Sequence, residues 1–319
     1  MRRSGYRVAS RRALLAGAAL LAAPAYAQSW PDHPIRLVVP FAPGGNVDKI
    51  ARLLAPIWSE RLRQPCVVEN RAGAGGSLAA GLVAQARPDG HTLLVGSDGA
   101  LLLDPKAADG LQDPLRIFAP IGLMSRSHSA VMVPPRGPAD LAGFVAAAKA
   151  RPGQLSAGHP GVGTSGQVLL RQFSRQAGIE LVEVAYRGGG EALADVMAGN
   201  IDALFTELST LLPLAQPGGG RILAVASAGR VSVAAATPSF TELGFPGLVE
   251  GAFVGLVAPL GTPPAVLGVL AETLAASVAA PGMAAEYNRL AIEAPTPVQA
   301  TPAGLRDFLI QRLAKARAG

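Results

Sequence analysis

The chain is 319 residues long, half of its residues are hydrophobic and only 5% are aromatic. Its 28 Lys and Arg exceed its 22 Asp and Glu by six, but five of the arginines and none of the acids lie in the first 27 residues. The remaining chain carries 23 basic against 22 acidic residues, which excludes the basic footprint of a nucleic-acid-binding protein.

The first 27 residues predict a cleavable export signal rather than part of the fold. A head with five arginines precedes an apolar run at 13–23, and Ala-Tyr-Ala at 25–27 supplies a small-x-small cleavage pattern. The apolar run is too short to span a bilayer, so we expect a soluble periplasmic product. The pair Arg11-Arg12 is also typical of twin-arginine signals, which leaves the export route open.

Strands and helices alternate along the rest of the chain. Apolar runs predict strands at 35–39, 66–69, 92–95, 119–124, 130–133, 181–184, 203–205, 222–226 and 253–258. Helical periodicity covers 47–62, 77–86, 141–150, 167–177, 191–198, 264–279 and 302–316. Such alternation predicts an α/β fold with parallel sheets joined by right-handed crossovers.

The length that remains after the signal predicts two lobes, because a single core rarely supports about 290 residues. Two long extended stretches, 123–133 and 248–258, frame a segment with its own strand–helix–strand units. We therefore predict a discontinuous first lobe, 28–128 plus 253–319, and a second lobe, 129–252. Ligands of such proteins bind in the cleft between lobes, at the carboxyl ends of strands.

A Pro/Gly-rich turn at 40–48, PFAPGGNVD, is the most informative motif. It follows a predicted strand and precedes a predicted helix, so backbone N–H groups of the helix start face a crevice. Such a corner binds anions without a charged side chain. Gly44 and Gly45 allow positive φ, and Asn46 is the predicted N-cap. The alternative is a tight connection without a ligand.

Two more glycine-rich turns precede predicted helices. The turn at 70–77, NRAGAGGS, ends at Ser77, a predicted N-cap. The turn at 161–166, GVGTSG, matches the dinucleotide fingerprint, but the sequence before it, AGHP at 157–160, is a poor strand. We favour an anion cradle in which Thr164 and Ser165 add hydroxyl donors, and the alternative is that these hydroxyls only cap the helix.

Two charged residues follow later strands. Arg187 lies in the turn after the strand at 181–184, where it is either a fork for a ligand carboxylate or a solvated surface residue. Glu207 follows the strand at 203–205 and is either an acceptor for a ligand ammonium or hydroxyl, or a helix cap.

The sequence predicts no catalytic site, metal site or cofactor. Ser165 lacks the second glycine that a nucleophile elbow needs two residues after the serine. The histidines, at 33, 91, 128 and 159, show no metal-ligand spacing. Cys66 is the only cysteine, so no intramolecular disulfide forms, and we expect it to be a buried apolar residue.

Several segments in order resemble the Bug-type receptors of tripartite tricarboxylate transporters. The loop PFAPGGNVD at 40–48 resembles their P-F-x-P-G-G-x-x-D motif, and VENRAGAGG at 68–76 resembles V-E-N-R-x-G-A-G-G. Similar matches are RPDGHTLL at 87–94, GTS at 163–165, YRG at 186–188 and PLGTPP at 259–264. The resemblance runs from about residue 30 to the carboxyl terminus.

The resemblance implies a two-lobed periplasmic-binding-protein architecture of the type II, Venus-flytrap kind. Such a receptor closes on a small carboxylate, held by backbone amides, hydroxyls and waters, and delivers it to membrane permease subunits. By position the resemblance implies ligand contacts at Phe41, Gly44, Gly45, Asp48, Ser97, Gly163, Thr164, Ser165, Tyr186 and Glu207. Arg187 joins this set from its position after a strand.

The chain also departs from the family pattern near the implied cleft. Gln167 stands where histidine is frequent, Arg187 replaces lysine, Glu207 replaces aspartate and Phe253 replaces tryptophan. The identity of the carboxylate therefore stays open. We predict a monomeric receptor without a catalytic step. The alternatives are a periplasmic enzyme that uses Ser165 or Glu207 on a carboxylate, and a receptor that signals to a membrane sensor.

Overall fold

The computed structural model describes residues 30–103 and 112–318. The predicted export signal lies outside the described residues. The strands are β1 Ile35–Val39, β2 Cys66–Asn70, β3 Thr92–Gly96, β4 Phe118–Val133, β5 Ser156–His159, β6 Val182–Ala185, β7 Ala203–Glu207, β8 Arg221–Val225, β9 Gly251–Pro259 and β10 Ile292–Glu293. The helices are α1 Asn46–Leu62, α2 Ser77–Ala84, α3 Asp98–Leu102, α4 Leu141–Ala150, α5 Ser165–Ala177, α6 Gly189–Ala198, α7 Leu208–Leu211, α8 Pro264–Val278, α9 Met283–Arg289 and α10 Pro302–Ala318.

The strands form one mixed sheet in the order β2-β1-β3-β9-β4-β7-β5-β6, and β8 and β10 pair with β4. Strands β1, β2 and β3 are parallel to one another, as are β5, β6 and β7. The prediction of purely parallel sheets is wrong, because β4 and β9 run antiparallel to their neighbours. These two strands link the halves of the sheet.

Strand β4 is continuous where the sequence predicts two separate runs. Its residues up to His128 pair with β9, and its residues from Ser129 onward pair with β7. The polar patch between the two apolar runs is therefore the place where β4 passes from one half of the sheet to the other. Ser125 and Ser129 in this patch are fully buried.

Each half of the sheet carries its own hydrophobic core, which makes the molecule two-lobed. In the first lobe, Ile50, Leu54 and Trp58 recur at helical spacing along α1 and are fully buried against the sheet. In the second lobe, the rings of Phe173 and Phe240 pack with centroids 5.3 Å apart. Burying one such side chain contributes about 1.5–3 kcal/mol, so each lobe has a substantial core.

Strand β5 shows why glycine need not break a strand. It pairs with β6 and β7, although the sequence analysis judges AGHP a poor strand. A Cβ atom on Gly158 would lie 2.6 Å from Ile201 Cδ1 and 3.0 Å from Tyr186 Cε2. A larger residue at this point of β5 would have to displace the Ile201 side chain, and Pro160 follows the end of the strand.

Two other features concern Cys66 and the lengths of the apolar helices. Cys66 is half-buried rather than buried, and burial raises the pKa of its thiol to about 11. Among the described residues, no single helix has both the length and the apolar character to cross a membrane. Within the described part of the chain, one helix pair, α8 and α9, is long and apolar enough when both helices are taken together, but it is bent by 73°.

Candidate functional site

A small cavity of about 20 Å³ lies between the two lobes, where the first glycine-rich turn meets the second lobe. Its lining is drawn from both lobes and from the start of β9: Phe41, Gly45, Asn46, Val47, Ser97, Asp98, Pro160, Thr164, Ser165, Gly189, Glu207 and Ala252. This volume holds about one water molecule. The lobes are therefore closed on each other in this structure.

Three long helices begin at this cavity. Helix α1 starts at Asn46 in the first lobe, and α5 and α6 start at Ser165 and Gly189 in the second. The first helical hydrogen bond of α1 is donated by Lys49 N to the Gly45 carbonyl at 3.0 Å. The backbone N–H groups before Lys49 therefore have no acceptor within the helix. The positive ends of three helix dipoles thus meet at one point, which favours an anion.

Asn46 ties the lobes together instead of capping α1. The N-cap is Gly45, and Asn46 is the first helical residue. Its Nδ2 donates to Ser127 Oγ at 3.2 Å, and its Oδ1 accepts a hydrogen bond from Ser209 Oγ at 2.9 Å. Lys49 adds a second link, since its Nζ donates to the Ser209 carbonyl at 2.7 Å. Closure therefore engages α1 of the first lobe with α7 of the second, and the bond to Ser127 of β4 stays within the first lobe.

Glu207 lies at the end of β7 with its carboxyl group in the buried cavity wall. Thr206 Oγ1 donates to Glu207 Oε2 at 2.7 Å, and Ser165 Oγ donates to Oε1 at 3.4 Å. Burial raises the pKa of Glu207, and these hydrogen bonds offset only part of that effect. The cleft thus holds a carboxyl group whose pKa lies above its ordinary value.

Asp98 belongs to a buried ionic cluster beside the cavity. Arg312 Nε donates to Asp98 Oδ1 at 2.5 Å, and Arg312 Nη2 donates to Glu250 Oε1 at 2.7 Å. Lys315 Nζ donates to Glu250 Oε2 at 3.0 Å. Burial raises the pKa of Asp98, and Arg312 partly offsets that rise. The cluster fastens α10 to the start of α3 and to the residue before β9.

The predicted site residues divide into two groups. The cavity wall contains Phe41, Gly45, Ser97, Thr164, Ser165 and Glu207. The hydroxyl of Thr164 donates to Gly161 O at 2.7 Å, so it also holds its own loop. The second group lies outside the described cavity wall and consists of Gly44, Asp48, Gly163, Tyr186 and Arg187.

Three members of this second group shape the first turn or its contact with the second lobe. Asp48 accepts hydrogen bonds from Gly44 N at 3.0 Å and from Arg52 Nε. Burial acts to raise the pKa of Asp48, but these bonds and one from Asn70 outweigh it and lower that pKa. The Arg187 side chain is exposed near Glu191, while its carbonyl accepts from Ala42 N across the lobes at 3.0 Å.

Gly163 and Tyr186 make contacts within the second lobe. Gly163 N donates to Gln167 Oε1 at 2.8 Å, so Gln167 folds back over the turn that precedes α5. Tyr186 OH donates to Asp195 Oδ2 at 2.7 Å, which directs the phenol to α6. Both residues therefore position the turns whose amides face the cavity.

The sequence analysis missed several residues of the cavity wall. Asn46 and Gly189 are first residues of helices after glycine turns, and that position was a usable signal. Asp98 directly follows Ser97, which was predicted, at the end of β3. Ala252 carries no local signal, because it reaches the cavity only through the crossing of β9 with β4.

Comparisons with known proteins agree with this architecture. Residues 50–313 match the model of the tripartite tricarboxylate transporter family receptor. The chain is 31% identical over 299 residues to Protein BugT of Bordetella pertussis, which covers 92% of this chain and 90% of that protein.

Solved structures show the same fold. MatC from Rhodopseudomonas palustris, solved with bound malate, is 29% identical, with a TM-score of 0.84 over 90% of this chain and 98% of MatC. An R. palustris protein solved with adipate is 28% identical, with a TM-score of 0.84 over 91% of this chain and 96% of that one. The chain therefore belongs to the tripartite tricarboxylate transporter receptor family of periplasmic solute-binding proteins.

Proposed function

We propose that this protein captures a small dicarboxylate in the cleft between its lobes and delivers it to membrane permease subunits of a tripartite transporter. The observation that carries the proposal is the meeting of α1, α5 and α6, from both lobes, at one cavity. Each helix end stabilises a nearby anion by about 0.3–1 kcal/mol, and by up to about 2 kcal/mol when partly buried. The ligand is held by first-turn amides, the hydroxyls of Ser97 and Ser165, and water.

The ligand class rests on the two solved relatives. Malate and adipate, bound by MatC and by the other R. palustris protein, are both dicarboxylates of different length. A cavity of about 20 Å³ is too small for either, so the lobes open to admit the ligand and close less completely around it. Contacts from both lobes then shift the equilibrium toward the closed state.

The lobe boundaries belong to the same proposal. We place the first lobe at 28–128 plus 253–319 and the second at 129–252, after export of the chain to the periplasm. The division is supported by β4, which changes its pairing partner between His128 and Ser129, and by β9, which starts at Gly251. These two strands are the segments that bend when the cleft opens.

A thermal-shift and calorimetry screen tests the proposal. The panel contains dicarboxylates of increasing length, their diamides and inorganic phosphate. A ligand at about 100 times its Kd adds roughly 2.7 kcal/mol to the free energy of unfolding. We expect a dicarboxylate, but not its diamide, to raise the Tm. Ser165→Ala weakens that binding, and Ser232→Ala, an exposed serine outside the cavity wall, leaves it unchanged. Phosphate binding without dicarboxylate binding overturns the proposal.

One observation favours a second candidate, a periplasmic enzyme that acts on a carboxylate. Glu207 Oε1 lies within hydrogen-bond reach of Ser165 Oγ, at 3.4 Å, as a general base for a serine nucleophile would. The same screen separates the two functions, because a receptor returns its ligand unchanged. Consumption of the ligand, lost in Ser165→Ala, establishes the enzyme. A transport assay with the permease, compared with co-purification of a sensor, identifies the membrane partner.

A further inference from the structure

The start of the described chain and the turn before β3 bring histidine and aspartate side chains together, away from the cavity wall. We propose that Asp32, His33 and His91 bind one divalent transition-metal ion, with Asp89 as the outer partner of His91. Strands β1 and β3 are parallel neighbours with Arg36 opposite Thr92, so the residues before them meet at one edge of the sheet. His33 and His91, which are far apart in the sequence, are therefore adjacent in the fold.

The donor atoms are close enough to share an ion. The imidazole rings of His33 and His91 stack with centroids 3.6 Å apart and planes 11° apart. Asp32 Oδ1 lies 2.7 Å from His33 Nδ1 and 3.3 Å from His91 Nε2. All three donor atoms lie within 4.8 Å of one another. Ligands about 2.0–2.2 Å from a tetrahedral ion lie roughly 3.3–3.6 Å apart. Each imidazole binds a metal in the plane of its ring, so binding requires the exposed His33 ring to rotate out of its stack on His91.

His91 supplies an independent reason to place a ligand here. It is only 5% exposed, and neither ring nitrogen makes a hydrogen bond to the described residues. A metal ion on Nε2 would satisfy one nitrogen. Asp89 Oδ1 lies 3.4 Å from Nδ1 and is fixed by accepting the His91 backbone N–H at 2.9 Å. A carboxylate behind a metal-bound imidazole is a recurrent arrangement that orients the ring.

The donor set identifies the class of ion. Two imidazoles and one carboxylate suit Zn²⁺, Ni²⁺, Cu²⁺ or Co²⁺, whereas Ca²⁺ and Mg²⁺ prefer oxygen ligands only. His33 and Asp32 are exposed, so water completes the coordination from the solvent side. Trp30 packs against the buried side, with its ring centroid 5.6 Å from that of His91. Such an ion would fasten the segment before β1 to the turn before β3.

Calorimetric titration of the tag-free protein with Zn²⁺, and visible spectra with Co²⁺, test the site. We expect one ion per chain and a Tm that rises with Zn²⁺ and falls back with a chelator. His33→Gln and Asp32→Asn should each weaken Zn²⁺ binding at least tenfold. Both residues are exposed, so these variants fold like the parent. His128→Gln is the matched control, since His128 Nε2 pairs with Glu293 Oε1 at 3.0 Å instead.

Two results overturn the proposal: no Zn²⁺ or Co²⁺ uptake by the parent protein, or equal uptake by His33→Gln and Asp32→Asn. Loss of binding in His128→Gln alone would assign the ion to another place and also overturns it. The experiment is independent of the carboxylate cleft, because Asp32, His33 and His91 are outside the described cavity wall. Dicarboxylate binding should therefore persist in these variants.

Discussion

Replacing Glu207 by glutamine tests how the cleft accepts an anion beside a carboxyl group. Burial raises the pKa of Glu207 above its ordinary value of 4.5, and the hydroxyls of Thr206 and Ser165 are its hydrogen-bond donors among the described side chains. If a ligand carboxylate binds next to it, Glu207 must take up a proton. Wild-type affinity should then fall as the pH rises, whereas Glu207→Gln stays neutral and binds equally at every pH.

The magnitudes favour proton uptake over repulsion. Two carboxylates about 4 Å apart repel by about 4 kcal/mol at an effective dielectric constant of 20. Protonating a carboxyl of pKa 4.5 at pH 7 spans 2.5 pH units and costs about 3.4 kcal/mol, and the raised pKa of Glu207 reduces that cost. We therefore expect binding to take up one proton. Between the pKa of Glu207 in the free protein and its higher pKa in the complex, Kd should rise tenfold per pH unit.

Calorimetry over a pH range in which the ligand stays fully ionised measures this slope. Repeating it in buffers of different ionisation enthalpy counts the protons taken up. Glu242→Gln is the matched control, because Glu242 is exposed and pairs with Arg230 at 2.9 Å, outside the described cavity wall. A wild-type Kd that does not change with pH, or a slope that survives in Glu207→Gln, would refute the reasoning.

Three further substitutions test the closed cleft, the first turn and the core. Asn46→Ala removes the side chain that joins α1 to Ser209 of the second lobe, and we expect dicarboxylate Kd to rise about 2- to 13-fold by calorimetry, since one lost buried hydrogen bond costs about 0.5–1.5 kcal/mol. Asp48→Asn should lower the free energy of unfolding by about 1–3 kcal/mol at pH 7 in urea titrations. The pKa of Asp48 is lowered in the fold, so the carboxylate stabilises the fold above pH 3.8, its ordinary pKa. This stabilisation is lost as the pH falls through the lowered pKa, and the difference between Asp48→Asn and wild type should then vanish. Phe253→Ala should lower the free energy of unfolding by about 3–5 kcal/mol in the same titrations. The Phe253 ring is fully buried, and its centroid lies 5.0 Å from that of Phe308.

Each of these expectations has its own control. Ser209→Ala removes one of the two hydrogen bonds of Asn46 and should reproduce part of the Asn46→Ala effect. Equal affinity in both variants and wild type would show that closure does not depend on Asn46. A stability difference for Asp48→Asn that persists unchanged in acid would contradict the assigned pKa shift. For Phe253, substitution by leucine should recover part of the loss.

The sequence predicted those elements whose burial is regular along the chain. Strand β1 at 35–39 and helix α4 at 141–150 have the predicted bounds, because alternating layers give unbroken apolar strands and helices with one apolar face. The helix start at Ser165 came two residues earlier than predicted, since polar first-turn residues carry no apolar period. The helix starts that meet at the cavity were predictable from local sequence, namely from the order of strand, glycine turn and helix.

What the sequence could not show depends on contacts between distant segments. Ser125, Ser127 and Ser129 look like a surface patch, yet they are buried, because β4 crosses between the lobes at that point. Ser127 accepts the Asn46 side chain from 81 residues away. His33 and His91 meet only because β1 and β3 are neighbours in the sheet, and strand order is a property of the whole fold.

The glycine-rich turns also bear on how the lobes close. Gly75 lies in the first lobe with a φ of 63°, and a Cβ atom there would overlap the carbonyl oxygen of Val162 in the second lobe. An alanine at this position would therefore hold the lobes apart as well as strain the turn. The turn at 70–77 is outside the described cavity wall, although its composition resembles that of the turn at 40–48, which reaches the cavity. Similar glycine patterns thus have different causes. The turn at 40–48 lines the cavity, whereas the turn at 70–77 allows the backbones of the two lobes to approach, and only the position of each turn relative to the opposite lobe distinguishes them.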